Sequence, residues 1–263
     1  MPSIARRRPS CFSGSAACLG AVPGVFLIAL ALSGCAGSDS RSDAIPEGES
    51  PADLYVDLAS EYVQRGQLDT ALGRAKQAVA IDRTNARAHY ILAIVYQRLG
   101  KVEEAQREFA EAVERAPGNP DYRNAWGAVL CAQGKYEAGL AEIKAALADP
   151  LYQGPEVALM NAADCSRSAG RQGAFERYLQ QALERNPRYP PAALALAKLA
   201  YQRGDYTRAR SLMTRYSRVG ETTAEALLLA ARIERQLGNL KLARLLERSL
   251  RQRFPDSPEV IQL

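Results

Sequence analysis

From about residue 52 to the C terminus, the chain repeats one pattern of small, apolar and polar positions around a turn glycine. The repeating fragments read YVQRGQLDTAL, YQRLGKVEEAQ, CAQGKYEAGL, RSAGRQGAF, YQRGDYTRAR and RQLGNLKLAR. Their glycines follow one another at intervals of 34, 34, 36, 34 and 34 residues, at Gly66, Gly100, Gly134, Gly170, Gly204 and Gly238. A period of this length predicts a stack of similar units, each built from two helices joined by a turn.

Two positions around each glycine carry small side chains. The residue seven before the glycine is alanine or glycine in all six copies: Ala59, Ala93, Gly127, Ala163, Ala197 and Ala231. The residue five after it is small in five copies and Phe175 in the fourth, namely Ala71, Ala105, Gly139, Phe175, Ala209 and Ala243. Because small side chains allow antiparallel helices to approach closely, we expect the two helices of each unit to touch there. Pro117, Pro187 and Pro255 end the second helix in three copies.

These residues resemble the tetratricopeptide repeat family from about Ala52 to the C terminus. The resemblance implies an all-α fold, a right-handed superhelical solenoid of six helix-turn-helix repeats in which no unit folds alone. We expect the repeats near residues 52–85, 86–119, 120–155, 156–189, 190–223 and 224–263. Three departures predict irregular joints: Leu151 where a proline would fall, within the insertion ADPLYQGPE, Phe175, and the ending RVGETT of the fifth unit.

A solenoid of this type presents an extended surface made from the first helix of each unit. The expected facing positions lie ten, six and three residues before each glycine, and they change from apolar to more charged along the chain. The candidate partner-binding residues are Val56, Val63, Tyr90, Ile94, Asn124 and Met160. A row of exposed apolar residues indicates an interaction surface. The alternative is that some of these side chains are packed between neighbouring repeats.

The N terminus has the features of a bacterial export signal. Residues 6–8 are arginines, residues 16–32 are largely apolar, and the sequence Leu-Ser-Gly-Cys ends at Cys35. We predict a signal peptide over residues 1–34, because the apolar stretch falls short of the roughly 20 residues that span a bilayer. Leu-Ser-Gly-Cys resembles the bacterial lipobox, which implies acylation of Cys35 and, with Ala36 after it, delivery to the outer membrane. Ordinary secretion is the alternative, and residues 35–51 are expected to form a disordered tether.

The composition offers little for catalysis. The chain has one histidine, His89, which excludes sites that need two imidazoles. The sequence also shows no phosphate-binding glycine loop, metal-ligand cluster or nucleophile elbow. We therefore expect no catalytic residue, no cofactor and no metal, and a protein that is not an enzyme.

Charge adds a weak indication about partners. The net charge of +5 falls to +2 without residues 1–34, which hold three arginines and no acid. Residues 201–263 carry 12 basic and 7 acidic side chains. Because the two signs are interleaved and an exported protein meets little nucleic acid, we expect no nucleic-acid partner. The two alternatives for this basic end are a solvated face and a patch that steers an acidic protein partner.

Two further cysteines, Cys131 and Cys165, lie in predicted helix interiors of adjacent repeats. Their positions favour two small buried thiols. A disulfide between them is the alternative, because the compartment of an exported protein permits one.

The order of lipobox, short polar tether and six repeats resembles the outer-membrane lipoproteins of type IV pilus biogenesis and stability, the pilotins. The resemblance rests further on the opening LYVDLASEYVQRGQLDTAL, the insertion ALADPLYQGPE and the ending LRQRFPDSPE. It implies a lipid-anchored adaptor on the periplasmic side of the outer membrane, which helps the pilus secretin to localise and multimerise by binding it in the repeat groove. The alternatives are a scaffold lipoprotein of another envelope assembly system and an envelope hydrolase or its activator.

Overall fold

A computed structural model describes residues 50–263 of the chain. The signal peptide predicted at residues 1–34, the lipidation site Cys35 and the tether up to residue 49 lie outside the described residues. The last two tether positions are described and are ordered, since Ser50 caps the first helix and Pro51 begins it. The first helix therefore begins at Pro51, one residue before the predicted start of the repeats.

The described residues form an all-helical solenoid of six helix pairs followed by one short helix. The helices are α1 (Pro51–Gln64), α2 (Leu68–Ile81), α3 (Ala86–Arg98), α4 (Val102–Arg115), α5 (Pro120–Ala132), α6 (Tyr136–Leu147), α7 (Pro155–Ser168), α8 (Gln172–Arg185), α9 (Pro190–Gln202), α10 (Tyr206–Ser217), α11 (Ala224–Gln236), α12 (Leu240–Arg253) and α13 (Pro258–Ile261). The predicted all-α repeat fold is confirmed. Within residues 50–263 no helix is both long and apolar enough to cross a membrane.

Each helix pair is joined through a glycine in the left-handed region of backbone space. The six turn glycines have φ between 71° and 80°, and none of the other described residues has a positive φ. Only glycine adopts this conformation without a steric penalty, which explains why it ends the first helix in every repeat. Proline at the first position of α1, α5, α7 and α9 favours helix initiation by fixing φ.

The small residues on either side of each turn lie where the paired helices touch. Ala59, Ala93, Ala163, Ala197 and Ala231 expose at most 1% of their surface, and Gly127 is buried as well. The third pair carries glycine at both positions, and its helices leave no room for a side chain there. A Cβ atom built on Gly127 would lie 2.6 Å from the carbonyl oxygen of Gly139 and 2.6 Å from Cγ1 of Ile143. No side chain of any size fits between α5 and α6 here.

The interiors of neighbouring repeats are continuous. The largest cluster of buried apolar residues runs from Leu159 in α7 to Ile233 in α11, through the fourth, fifth and sixth repeats. A second cluster joins α1 to α3, from Val56 to Val95. Each unit thus buries part of its apolar surface against the next one, as expected for a solenoid whose stability sums over neighbouring contacts.

Cys131 and Cys165 form a disulfide, which corrects the expectation of two free buried thiols. The bridge joins α5 to α7, with the two Cα atoms 5.3 Å apart. That separation lies within the usual range for disulfides, because neighbouring first helices lie side by side. A Cβ atom on Gly139 would collide with Sγ of Cys131. The glycine of α6 therefore makes the room that the cysteine sulfur occupies.

The joints that depart from the repeat pattern are closed by tyrosines. In the insertion after α6, Tyr152 is buried while Leu151 is 78% exposed. In the joint after α10, the buried Tyr216 donates a hydrogen bond from its hydroxyl to the carbonyl oxygen of Glu221, at 2.5 Å. At the C terminus, α13 packs beside α11 and α12, with Val260 against the cluster that holds Leu250. In the third and fifth repeats the tyrosine contacts stand in place of the proline turn, whereas the sixth repeat keeps Pro255.

We predict that Gly127→Ala destabilises the protein, because its added methyl group would meet the backbone of Gly139. The expected loss is about 1–3 kcal/mol in the free energy of unfolding, measured by urea denaturation. Gly73→Ala is the matched control, since Gly73 lies inside α2 with open space around it. The control should be neutral or stabilising by up to about 1 kcal/mol. Equal stability of the two variants would contradict the close approach of α5 and α6.

We also predict that the disulfide stabilises the joint between the third and fourth repeats. Replacing both Cys131 and Cys165 by alanine should lower the free energy of unfolding by about 2–4 kcal/mol, because the bridge restricts the unfolded chain. A reductant should lower the melting temperature of the wild type and leave that of the double variant unchanged. Free thiols at both positions in the unreduced, denatured wild type would show that the bridge does not form.

Candidate protein-binding groove

The first helices α1, α3, α5, α7, α9 and α11 together form one side of the solenoid, called here the first-helix face. The structure divides the six predicted groove residues into two sets. Tyr90, Ile94 and Met160 are partly exposed on this face. Val56, Val63 and Asn124 are buried. Only the first set offers surface to a partner.

The burial of Val56 and Val63 corrects the expectation that they line an open groove. Both belong to the apolar cluster that joins the first repeat to the second, together with Ile91 and Val95 of α3. The sequence pattern allows two interpretations of an apolar residue at these helical positions: it faces solvent, or it packs against the next repeat. The second interpretation holds for these two valines.

Asn124 is also buried, but it lies in a polar contact between repeats. Its side-chain oxygen accepts a hydrogen bond from Nδ2 of Asn161, at 3.0 Å, which links α5 to α7. The contact satisfies two amide groups that would otherwise be costly to bury. Asn124 therefore contributes to the relative placement of two first helices rather than to an exposed surface.

An aromatic cluster forms the N-terminal half of the first-helix face. The ring of Tyr90 stacks on that of Tyr122 with centroids 4.6 Å apart, and it meets Phe109 of α4 edge-on at 5.9 Å. Ile94 follows Tyr90 by one helical turn and is half-buried beside the same cluster. Aromatic pairs in these geometries add about 0.5–1.5 kcal/mol beyond area burial. The cluster is a rigid apolar surface with an exposed edge.

The tyrosines of this region are neutral at pH 7 even with their ordinary pKa of 10, and burial moves the pKa further upward. Burial raises the pKa of Tyr90 and of Tyr122 above the ordinary value of 10. It also raises the pKa of Tyr152 to about 12, with the carboxylate of Asp121 acting in the same direction. At neutral pH these hydroxyls are therefore uncharged groups that can donate or accept hydrogen bonds.

Tyr122 and Tyr152 were not among the predicted site residues. Tyr122 lies twelve residues before its turn glycine, where the second, fourth, fifth and sixth repeats have alanine. A tyrosine in place of a repeated alanine is the signal that could have identified it. Tyr152 lies in the insertion, which has no counterpart in the other repeats and therefore no pattern from which to predict its burial.

The C-terminal half of the first-helix face contains two cavities. The first has a volume of about 460 Å³ between α7 and α9, and Met160, Asp164 and Arg167 line its α7 side. These are the three facing positions that the sequence predicts for this helix. Leu194 and Lys198 of α9 lie opposite them. This half of the face combines apolar floor residues with charged rims of both signs.

The second cavity has a volume of about 390 Å³ and lies between α9 and α11. Lys198 lines both cavities, so they lie next to each other along the face. Lys198 forms an ion pair with Glu225, and Arg232 donates a hydrogen bond to Oε1 of Gln262, at 3.1 Å. The C-terminal segment thus closes one end of this cavity.

The buried histidine has a structural position. Nδ1 of His89 lies 2.6 Å from Oε2 of Glu108, and Nε2 lies 3.0 Å from the carbonyl oxygen of Arg83. The contacts join α3 to α4 and to the turn before α3, and both ring nitrogens are occupied. Among residues 50–263, no group of three or more His, Cys, Asp or Glu side chains is arranged to hold a metal ion. The partly exposed apolar residues and the two cavities of the first-helix face are suited to non-covalent recognition of another chain.

Comparison with known proteins agrees with the repeat architecture. The tetratricopeptide repeat family model matches residues 62–129 and 194–258. The type IV pilus assembly protein PilF of Pseudomonas aeruginosa is 29% identical over 237 residues, which cover 89% of this chain and 94% of PilF.

Solved structures give the same relationship. The crystal structure of PilW, described as a widely conserved type IV pilus biogenesis factor, matches with a TM-score of 0.72 and 31% identity, over 81% of this chain and 98% of PilW. The structure of P. aeruginosa PilF matches with a TM-score of 0.73 and 27% identity, over 80% of this chain and 95% of PilF. The match runs through all the repeats rather than through one shared unit. The chain therefore belongs to the tetratricopeptide-repeat family of type IV pilus assembly factors that includes PilF and PilW.

Proposed function

We propose that this protein is a pilotin-like adaptor, a non-catalytic outer-membrane lipoprotein that assists the localisation and multimerisation of the pilus secretin. The observation that carries the proposal is its relationship to two type IV pilus factors over four-fifths or more of the chain. In this proposal Cys35 carries the lipid anchor, and the folded repeats face the periplasm. No cofactor takes part.

The first-helix face supports the binding part of the proposal. Tyr90 and Ile94 form an exposed apolar edge beside the stacked rings. Met160 lines the cavity between α7 and α9. Rigid aromatic side chains bind at low entropic cost and are enriched among the residues that dominate protein interfaces. An extended or helical segment of the secretin with apolar side chains would fit such a face.

The proposed face can be tested with a Tyr90→Ala plus Ile94→Ala variant. We expect at least a tenfold weaker affinity for the purified periplasmic part of the host's secretin, because two apolar contacts are lost. In a deletion strain that expresses this variant, heat-resistant secretin multimers and surface pili should decrease in parallel.

Two control variants accompany this test. Ile81→Ala changes an exposed apolar residue at the end of a second helix and should leave affinity unchanged. Tyr90→Phe keeps the stacked ring and should bind nearly as well as the wild type, and melting curves verify that each variant is folded. Unchanged binding by the folded double variant would reject this face. Normal secretin multimers and pili in the deletion strain would reject the role and favour another envelope assembly system.

The proposed anchor is tested separately by Cys35→Ala. Without a thiol to acylate, the protein should no longer fractionate with the outer membrane, because one lipidated residue is proposed to supply the membrane affinity. Metabolic labelling with a palmitate analogue should mark the wild type and leave the variant unlabelled. An unchanged outer-membrane fraction of the variant would contradict lipid anchoring at this residue.

A further inference from the structure

We propose a second docking surface, on the opposite side of the solenoid from the first-helix face, that binds an acidic amphipathic segment of a partner protein. The surface is the groove between α10 and α12, with α11 as its floor, and we call it the outer groove. It is distinct from the proposed secretin-binding face and does not depend on it.

The outer groove and the first-helix face use different sides of α11. Ala230 and Ile233 form the floor of the outer groove, whereas Leu228 and Arg232 line the cavity on the first-helix face. Met213 of α10 and Leu246 of α12 form the walls of the outer groove. The enclosed volume is about 240 Å³. Since an apolar cavity of about 150 Å³ holds a benzene molecule, this volume accommodates a large apolar side chain.

Two leucines on the rim of the outer groove are exposed. Leu242 and Leu245 of α12 are 44% and 54% exposed, and both line the open part of the groove. They lie four and seven residues after Gly238.

The same two positions are polar or small in the other five repeats. The pairs there are Thr70 and Gly73, Glu104 and Arg107, Ala138 and Ala141, Ala174 and Arg177, and Arg208 and Ser211. The repeat fold is therefore stable without apolar side chains at these positions. Leucine at both positions in the sixth repeat alone indicates a surface that is covered when a partner is bound.

The charges beside the leucines specify the chemistry of that partner. Lys241 and Arg248 lie four residues before and three residues after Leu245, so they are its neighbours on the surface of α12. Among the described residues, no carboxylate lies within 4.0 Å of the cationic group of either one, whereas ion pairs of this length are present elsewhere. A basic edge that meets no carboxylate among residues 50–263 is complementary to carboxylates on another chain.

The acidic group inside the outer groove does not cancel this basic character. Glu234 is buried, accepts a hydrogen bond from Nδ2 of Asn239 at 2.6 Å, and lies 3.8 Å from the guanidinium of Arg210. Its charge is thus offset within the groove. A recessed slot also suits a side chain that inserts from a peptide or helix better than it suits a flat lipid surface.

The experiment is site-specific photo-crosslinking of the full-length protein in its native host. Leu245 is replaced by p-benzoylphenylalanine, and the crosslinked segment is identified by mass spectrometry. The same replacement at the exposed Leu151, in the insertion between α6 and α7, is the control for non-specific capture. We expect an adduct at position 245 that is absent at position 151, with a segment that carries several acids and apolar residues at helical spacing.

The captured segment is then synthesised as a peptide, and its affinity for the purified full chain is measured at low and high salt. We expect at least tenfold weaker binding for Leu242→Ser plus Leu245→Ser, and for Lys241→Glu plus Arg248→Glu. Because all four residues are exposed or at the rim, melting curves should match the wild type. The Tyr90→Ala plus Ile94→Ala variant should bind this peptide normally, which separates this proposal from the secretin proposal.

Four crosslinking results would overturn the proposal. They are the absence of a specific adduct, an adduct with lipid, an adduct with a second copy of this chain, and an adduct with a segment that is basic or lacks apolar residues. Peptide binding that is insensitive to both pairs of substitutions would overturn it as well.

Discussion

The whole structure depends on one contact, the crossing of the two helices of each repeat at a pair of small residues. An alanine or glycine seven residues before the turn glycine meets the helix that follows the turn, and the burial of Ala59, Ala93 and Ala163 shows how tightly the helices approach. An alanine or glycine occupies the first crossing position in all six units, and only the fourth unit has a large residue, Phe175, at the second one. Stacking units of one shape places all the first helices on one side, and this placement creates the first-helix face. A larger side chain at the crossing would change the angle between the helices and, with it, the surface that partners meet.

The sequence was sufficient to predict the repeats but not the roles of the side chains on them. The period, the positive φ at the six turn glycines and the burial of the small residues are set by local sterics, which a single chain displays directly. The burial of Val56 and Val63 depends on how closely the second repeat packs on the first, and the sequence of a single helix does not determine that packing. The same limit applies to Tyr122, which is placed by its stacking on Tyr90 of the preceding repeat. Predicting the disulfide requires the distance between neighbouring first helices. The spacing of 34 residues between the two cysteines does not give that distance.

The third repeat concentrates the departures from the pattern, and they are physically connected. Glycine at both crossing positions brings α5 and α6 together, and Gly139 leaves the space that the sulfur of Cys131 fills. The bridge to Cys165 then fixes α5 against α7, and Asn124 and Asn161 add a hydrogen bond between the same two helices. The insertion that ends this repeat contributes Tyr152 to the region. A covalent bond, a polar contact and a buried ring therefore stiffen the joint between the aromatic and the charged halves of the first-helix face.

A solenoid can carry two binding surfaces because its stability is local. Each unit contacts only its neighbours, so a substitution on the first-helix face of α3 has no direct route to the groove between α10 and α12. In α11 the two surfaces come closest, since Ile233 faces the outer groove and Arg232 the other side. Lys241 lines the outer groove, Arg248 lies on the same helix, and charge attracts a partner over a distance of about 10 Å at moderate salt. We therefore propose that the two surfaces act separately, one taking an apolar segment near the N-terminal repeats and the other an acidic segment near the C terminus, each by its own physical interaction.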